Sequence, residues 1–376
     1  MSHIPYGRQS ITEADIAAVA EVLRGDWLTT GPAVTEFESK LSSVVSARGC
    51  VAVTSGTAAL HTAYAAAGIG AGDEVITPPL TFVATQSTAV ALGATIRFAD
   101  VLPDTGTIDP THVDALVSER TKAIVAVDYA GHPAELDELR DVADRHDLLL
   151  IEDAAHSIGS TYRGRPVGSV ADLTTFSFFP TKNITTGEGG AIASDDPHLL
   201  TRLRRFRNHG LVREPEEFSM SDVGPWHQEV QEFGLNYRLP DVLAALGSSQ
   251  LDRLADFKSR RARVFSRYET LLSDIEGLVL PTRHADVDPI WHLYPVRVPA
   301  ERRRRVFEHM RGCGIGVQVN YIPAYWHPAF DRVDYPRGLC PIAEEFYARE
   351  ISLPMHPDLT DGEVGLVASC LRAAMA

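Results

Sequence analysis

Apolar positions change their period along this chain. Between Ile11 and Leu23 they recur at helical spacing (Ile11, Ile16, Val19, Val22, Leu23), with Thr12 opening the helix and Glu13 and Asp15 in its first turn. Turn chemistry at Gly25 to Pro32 breaks that rhythm, and Val34 to Val45 predicts a second helix. Short apolar runs then alternate with helical stretches. Strands are predicted at Val51–Val53, Glu74–Thr77, Thr95–Ala99, Ala123–Val127 and Leu148–Ile151, and helices at Ala58–Ala67, Thr81–Ala91, Asp109–Leu116 and Leu136–His146. The run Leu148-Leu149-Leu150-Ile151 has no polar face, as in a parallel strand covered on both sides. This alternation implies right-handed βαβ units and a mostly parallel sheet.

Past the strand Ala191–Ala193 and the helix Leu199–Phe206, residues 208–231 are rich in glycine, proline and charge and predict a long loop or lid. Val242 to Leu272 reads as a long helical stretch, broken around Asp256, that bridges to a second domain. Further strands are predicted at Leu293–Val298 and Gly316–Val319, with a helix at Arg302–Arg311 between them. The glycines of 312–316 follow a helix and enter a strand, the reverse of a dinucleotide fingerprint, and predict a helix C-cap. The domains are placed at 1–245 and 246–376.

Composition narrows the class. The 376 residues are 44% hydrophobic and 23% charged, as in an ordinary globular protein large enough for two cores. With 50 acidic against 35 basic side chains, the formal charge of −15 argues against a nucleic-acid surface, which needs a basic face. The first ten residues are polar where a signal peptide is apolar, and no run approaches the ~18 apolar residues of a membrane span. Four scattered cysteines (Cys50, Cys313, Cys340, Cys370) without CxxC spacing predict reduced thiols in a cytoplasmic protein, with neither a disulfide framework nor a metal site.

Ligands of open α/β sheets sit at the carboxyl ends of strands, and three candidate groups fall there. The turn Ser55-Gly56-Thr57 joins a strand to a helix N-terminus; it suits an anion, and it also suits a plain N-cap. Asp153 and His156 follow the buried run at 148–151. Ser177 lies within the apolar segment at 176–179, and Lys182 follows it. Lys182 has two readings, a solvated loop charge or a nucleophilic amine that holds a carbonyl cofactor. For pyridoxal phosphate the chemistry is consistent: hydroxyl and N–H donors for the phosphate, a buried carboxylate for the ring nitrogen, and an amine drawn below its usual ~10.4. Phe82 is available to stack on such a ring, or to pack in the core.

The motifs together resemble the DegT/DnrJ/EryC1/StrS family of sugar aminotransferases. They are Gly-Asp-Trp-Leu-Thr-Thr-Gly-Pro (25–32), Thr-Ser-Gly-Thr-Ala-Ala-Leu (54–60), Thr-Phe-Val-Ala-Thr (81–85), Glu-Asp-Ala-Ala-His (152–156), Phe-Pro-Thr-Lys-Asn-Ile-Thr-Thr-Gly-Glu-Gly-Gly (179–190) and Gly-Leu-Asn-Tyr-Arg (234–238). The resemblance implies the aspartate-aminotransferase-like fold type I of pyridoxal-phosphate enzymes: an α/β large domain with a mostly parallel seven-stranded sheet, and a smaller α/β C-terminal domain. It makes Lys182 the covalent anchor, Asp153 the pyridinium partner, Phe82 the stacking ring and His156 a neighbour of the phenolic oxygen. Ser55, Gly56, Thr57 and Ser177 would hold the phosphate, and Asn236 would reach it from the neighbouring subunit of a homodimer. Thr29, Thr30, Phe179, Asn320 and Tyr321 are the implied substrate residues. The branch most similar aminates C4 of UDP-linked 4-keto-6-deoxy hexosamines, with L-glutamate as donor. In that branch a histidine is usual where this chain has Asn320. The same resemblance leaves open amination at C3, a dehydratase of the same fold, which has histidine in place of the lysine, and a non-catalytic relative. The absence of a strand–GxGxxG–helix counts against a dinucleotide oxidoreductase.

Overall fold

A computed structural model of the protein describes residues 3–330 and 335–376. Helices α1 (Glu13–Arg24) and α2 (Pro32–Val45) lead into β1 (Gly49–Val53), α3 (Gly56–Ala66), β2 (Glu74–Thr77), α4 (Ala84–Ala91) and β3 (Thr95–Phe98). Then follow α5 (Pro110–Leu116), β4 (Thr121–Val127), α6 (Leu136–His146) and β5 (Leu149–Asp153). The short strands β6 (Thr161–Tyr162) and β7 (Arg165–Pro166) precede β8 (Leu173–Ser177), β9 (Gly190–Ser194) and α7 (Pro197–Arg207). Next come β10 (Leu211–Val212), β11 (Glu229–Val230), α8 (Asp241–Leu251), α9 (Leu254–Leu272) and β12 (Val287–Asp288). The chain closes with β13 (Tyr294–Arg297), α10 (Arg303–Gly312), α11 (Pro341–Arg349), β14 (Glu350–Leu353) and α12 (Asp361–Met375).

Seven strands form one sheet in the order β1-β9-β8-β5-β4-β2-β3. The five from β8 to β3 run parallel, and β9 is antiparallel to both of its neighbours. Side chains alternate across a strand, and here both faces are buried. Val51 and Val53 join one core cluster while Cys50 and Ala52 join another; Ala123 and Val125 divide from Ile124 and Ala126 in the same way. That is why these strands read as continuous apolar runs.

A second core surrounds the antiparallel pair β13–β14, with α9, α10 and α12 packed on it (Phe265, Tyr268, Trp291, Tyr294, Val306, Leu371). The boundary expected at 245/246 falls inside α8, whose Ala244 and Leu251 belong to the large-sheet core. Ile4 from the N-terminal segment crosses into the second core, and Ala324, Tyr325, Cys340 and Phe346 cross back to the first. The helical break lies at Asp252–Arg253, just ahead of the expected Asp256.

Two expectations need correction. Residues 316–319 form no strand; Ile315 and Gln318 make only isolated bridges to Ile4 and Ser352. The N-terminal segment runs too close there, since a Cβ on Gly316 would stand 2.6 Å from the Tyr6 nitrogen. The strand that completes the small sheet is β14. Cys313 and Cys370 are disulfide-bonded, whereas Cys50 and Cys340 are buried and free. The sequence separation of 57 between the bonded pair hides a contact that exists only because the end of α10 packs against α12. Among the described residues no helix is long and apolar enough to cross a membrane.

One buried carboxylate ties the N-terminal helices to the body. Asp241, at the start of α8, accepts from the Gly31 and Ala33 amides at 2.8 and 3.0 Å and so caps α2 from a distant part of the chain. Asp241→Ala leaves two donors unpaired and is expected to cost about 2–3 kcal/mol, read from urea unfolding monitored by circular dichroism.

Candidate active site

The carboxyl ends of β1, β5 and β8 open on one cavity of about 450 Å³, a volume typical of small-molecule sites. Its floor begins at β1. Ser55 is the N-cap of α3 and accepts from the Ala58 amide at 3.0 Å, so the capping reading holds. The Gly56 and Thr57 amides remain without partners among the described residues, at the positive end of the helix. Gly56 is needed for space, because a Cβ there would lie 2.7 Å from Cβ of Ser177. Two hydroxyls and two free amides thus face one small volume.

Asp153 is buried at the end of β5. Its Oδ2 accepts from Thr85 Oγ1 at 2.8 Å and its Oδ1 from the Ala155 amide at 3.2 Å. Burial pushes its pKa above the usual carboxylate value; the Thr85 and Ala155 bonds and the charge of Lys182 oppose that rise. Lys182 follows a turn closed by its own amide on Phe179 O, 2.9 Å. Burial pulls its amine down to about 8, against the opposing pull of Asp153. A fair fraction of the amine is therefore uncharged near neutrality, as a nucleophile requires.

His156 is buried, and burial and the Lys182 charge hold its pKa well below the usual value, so the ring is neutral. Its Nε2 lies 3.2 Å from the Tyr321 hydroxyl, its ring centroid is 4.3 Å from that of His292, and Nδ1 has no partner. Phe82 and Phe179, 60% and 45% exposed, stand at the cavity mouth as large rings left open to solvent. Asn320 and Tyr321 close the wall opposite, but the Asn320 amide nitrogen is engaged in the wall itself, donating to Tyr6 Oη and Ser352 Oγ.

Three expected residues lie outside this cavity. Thr29 lines no cavity among those described. Thr30 lines a separate open groove beside Arg204, Arg205 and Arg207, where ion pairs to Glu38 and Glu217 already occupy much of the charge. Asn236 is exposed on the stretch after β11. Conversely, Thr85, Tyr6 and His292 belong to the site and were not singled out from sequence. Thr85 stood inside a recognised motif, and only its bond to Asp153 reveals its part. Tyr6 and His292 carry no local signal; they arrive from the N-terminus and the second core.

The model of the DegT/DnrJ/EryC1/StrS aminotransferase family matches residues 9–372. The chain is 39% identical over 375 residues to the spore coat polysaccharide biosynthesis protein SpsC of Bacillus subtilis, covering 98% of this chain and 96% of that protein. Among solved structures it superposes on Helicobacter pylori PseC, an aminotransferase involved in the biosynthesis of pseudoaminic acid, with TM-score 0.93 and 31% identity over 100% of this chain and 99% of that one. It superposes equally well, TM-score 0.93 at 30% identity over 100% and 99%, on the PLP-form of the putative sugar aminotransferase Spr1654 from Streptococcus pneumoniae. The residues present fit pyridoxal phosphate: unpaired amides beside Ser177 suit its phosphate, buried Asp153 suits a pyridinium, and the orphaned Nδ1 of His156 awaits a polar neighbour.

If the amine of Lys182 titrates as described, its capture by acetaldehyde and borohydride in protein freed of cofactor should rise with pH and be half-maximal near 8. An ordinary lysine reaches that point only near ~10.4. Asp153→Ala removes the charge that holds the amine protonated, so the midpoint should move lower still; peptide mass analysis of Lys182 follows it.

Proposed function

This chain belongs to the DegT/DnrJ/EryC1/StrS aminotransferase family and is a pyridoxal-phosphate-dependent sugar aminotransferase, and we propose that it moves the amino group of L-glutamate to C4 of a nucleotide-linked 4-keto-6-deoxy sugar. The observation that carries the reading is the placement of Lys182 in one cavity with buried Asp153, where burial draws its amine down. When bound there, pyridoxal phosphate supplies an electron sink for the carbon that loses or gains a proton.

The protein's own groups do the rest. The Gly56 and Thr57 amides, with the Ser55 and Ser177 hydroxyls, would hold the phosphate at the helix end. Asp153, held by Thr85 and Ala155, would pair with the ring nitrogen and support a positive charge there. Lys182 would hold the cofactor's aldehyde, and its amine, drawn down by burial to about 8, would carry a proton between the substrate carbon and the cofactor carbon. Neutral His156 cannot compete as a cation for the same carboxylate. Phe82, at the cavity mouth, would cover a ring face.

Three further features support the finer reading. Lys182 stands where dehydratases of this fold have histidine, which favours amino transfer. The motif around Lys182 and Tyr-Ile-Pro at 321–323 favour the C4 branch over C3. Phe82 and Phe179 are left open at the mouth, while Asn236, Trp226 and Phe233 are exposed on the loop that precedes α8. A homodimer in which that loop of one copy completes the site of the other would cover them.

Lys182→Ala should lower amino transfer at least ~1000-fold and remove the covalent, borohydride-trappable cofactor. A panel of UDP-, dTDP- and GDP-linked 3-keto and 4-keto sugars, offered to glutamate-loaded enzyme, tests the rest; turnover of 3-keto sugars alone would overturn the C4 assignment. Mixing Lys182→Ala with Asn236→Ala protein should restore about a quarter of wild-type activity, because half of the dimers are mixed and each regains one intact site. No recovery would mean that the sites are not shared.

A further inference from the structure

Behind the wall that carries Asn320 lies a carboxylate that the transfer chemistry does not use. Glu350, the first residue of β14, is fully buried. Its Oε2 accepts from the Asn320 main-chain amide at 2.7 Å, and its Oε1 is bonded to the Ser352 hydroxyl on the same face of the strand. Ser352 Oγ in turn lies 3.1 Å from Asn320 Nδ2, whose other hydrogen goes to Tyr6 Oη at 2.6 Å. The Tyr129 hydroxyl donates to Asn320 O. Every polar atom of Asn320 except Oδ1 is therefore held by the wall, and Asn320 lines the cavity.

We propose that Glu350 is a positioning residue for substrate selection: acting through Ser352, it fixes which end of the Asn320 amide the keto sugar meets. The proposal rests on the sugar-aminotransferase reading only for the identity of that ligand. The chain of donors allows two settings. With Glu350 ionised, Ser352 must donate to it, so Ser352 can only accept from Asn320; Nδ2 turns into the wall and Oδ1 faces the cavity. The site then asks for a donor, a hydroxyl or an amide N–H of the sugar. With Glu350 protonated, Oε2 still accepts from the Asn320 amide, so the proton lies on Oε1 and goes to Ser352. Ser352 then donates to Oδ1, and Nδ2 faces the cavity and asks for an acceptor. Tyr6 serves either setting, because a hydroxyl donates or accepts.

Burial pushes the Glu350 pKa up to about 8, against the Ser352 and Asn320 bonds and the charge of Arg303 on α10. The other titratable groups that face it are the hydroxyls of Tyr6, Tyr129 and Tyr321, all of them raised and neutral. Arg297, opposite in register on β13, sends its guanidinium to Pro103 O instead. The two settings therefore exchange near the working pH.

The chain has only four asparagines, Asn183, Asn208, Asn236 and Asn320, so holoenzyme labelled with ¹⁵N-asparagine gives four side-chain amide pairs. The Asn320 pair is identified by its loss in Asn320→Asp. In the wild type it should be protected from exchange with water above the Glu350 titration and at least about tenfold less protected below it. Glu350→Gln donates to Ser352 at every pH, so its Asn320 pair should exchange fast throughout. Its KM for UDP-4-keto-6-deoxy-N-acetylglucosamine at pH 9 should differ from wild type by about tenfold, with kcat within about twofold. Ser352→Ala, which keeps Glu350 but breaks the chain, should abolish the pH dependence of protection and stands in should Glu350→Gln fail to retain its cofactor absorption. Equal protection in wild type and both variants overturns the proposal, as does a KM change without a protection change. If protection follows the two settings but no keto sugar is turned over, the amide setting stands and the sugar reading fails.

Discussion

A single pairing organises this molecule: a buried carboxylate, Asp153, sharing one cavity with an amine, Lys182. Either group alone is costly to bury as an ion, and burial pushes their pKa values toward each other, up for the acid and down for the amine. The fold limits that cost at Asp153 with two hydrogen bonds, one from Thr85 on α4 and one from the Ala155 amide. At Lys182 it leaves the cost in place, and the amine becomes reactive. An acid steadied by hydrogen bonds and an amine drawn down by burial, in one cavity, are the two conditions that a pyridoxal-phosphate enzyme needs.

The sheet makes the pairing possible. Parallel strands β5 and β8 end side by side, so Asp153 and the turn to Lys182 emerge on one edge, and β1 brings the α3 N-terminus to the same edge through β9. Glycines keep the approach close where it matters most. A Cβ on Gly190 would lie 2.4 Å from Ser55 O, and one on Gly56 would strike Ser177. His292, Asn320 and Tyr321, from the C-terminal part of the chain, then close the cavity. Amino-transfer chemistry thus sits on the rigid sheet, and the groups toward the substrate sit on the element that packs against it.

Most of the large domain is legible in the residues. The capping box at Thr12 and Asp15, the helix Leu136–His146 and the double-sided burial of β5 follow from local pattern alone. Failures concentrate in the C-terminal third. Residues 316–319 have strand composition, but Ile4 and Tyr6, three hundred residues away, occupy the position where a partner strand would have to lie. The Cys313–Cys370 bond and the return of Ala324, Tyr325, Cys340 and Phe346 to the first core are likewise matters of packing between distant segments.

For the site, residue type and motif were enough to place Lys182, Asp153, His156 and the Ser55–Thr57 turn at the carboxyl ends of strands, because backbone periodicity fixes where a strand ends. They also carried the family, since the motifs span most of the chain. Tertiary structure alone decided that Thr85 steadies Asp153 and that His292 and Tyr6 join the cavity. It also put Thr30 in another groove and tied the Asn320 side chain to Tyr6 and Ser352 in the wall. The reason is physical. A hydrogen bond between residues 30 or 300 positions apart depends on how two cores meet, and no local period encodes that.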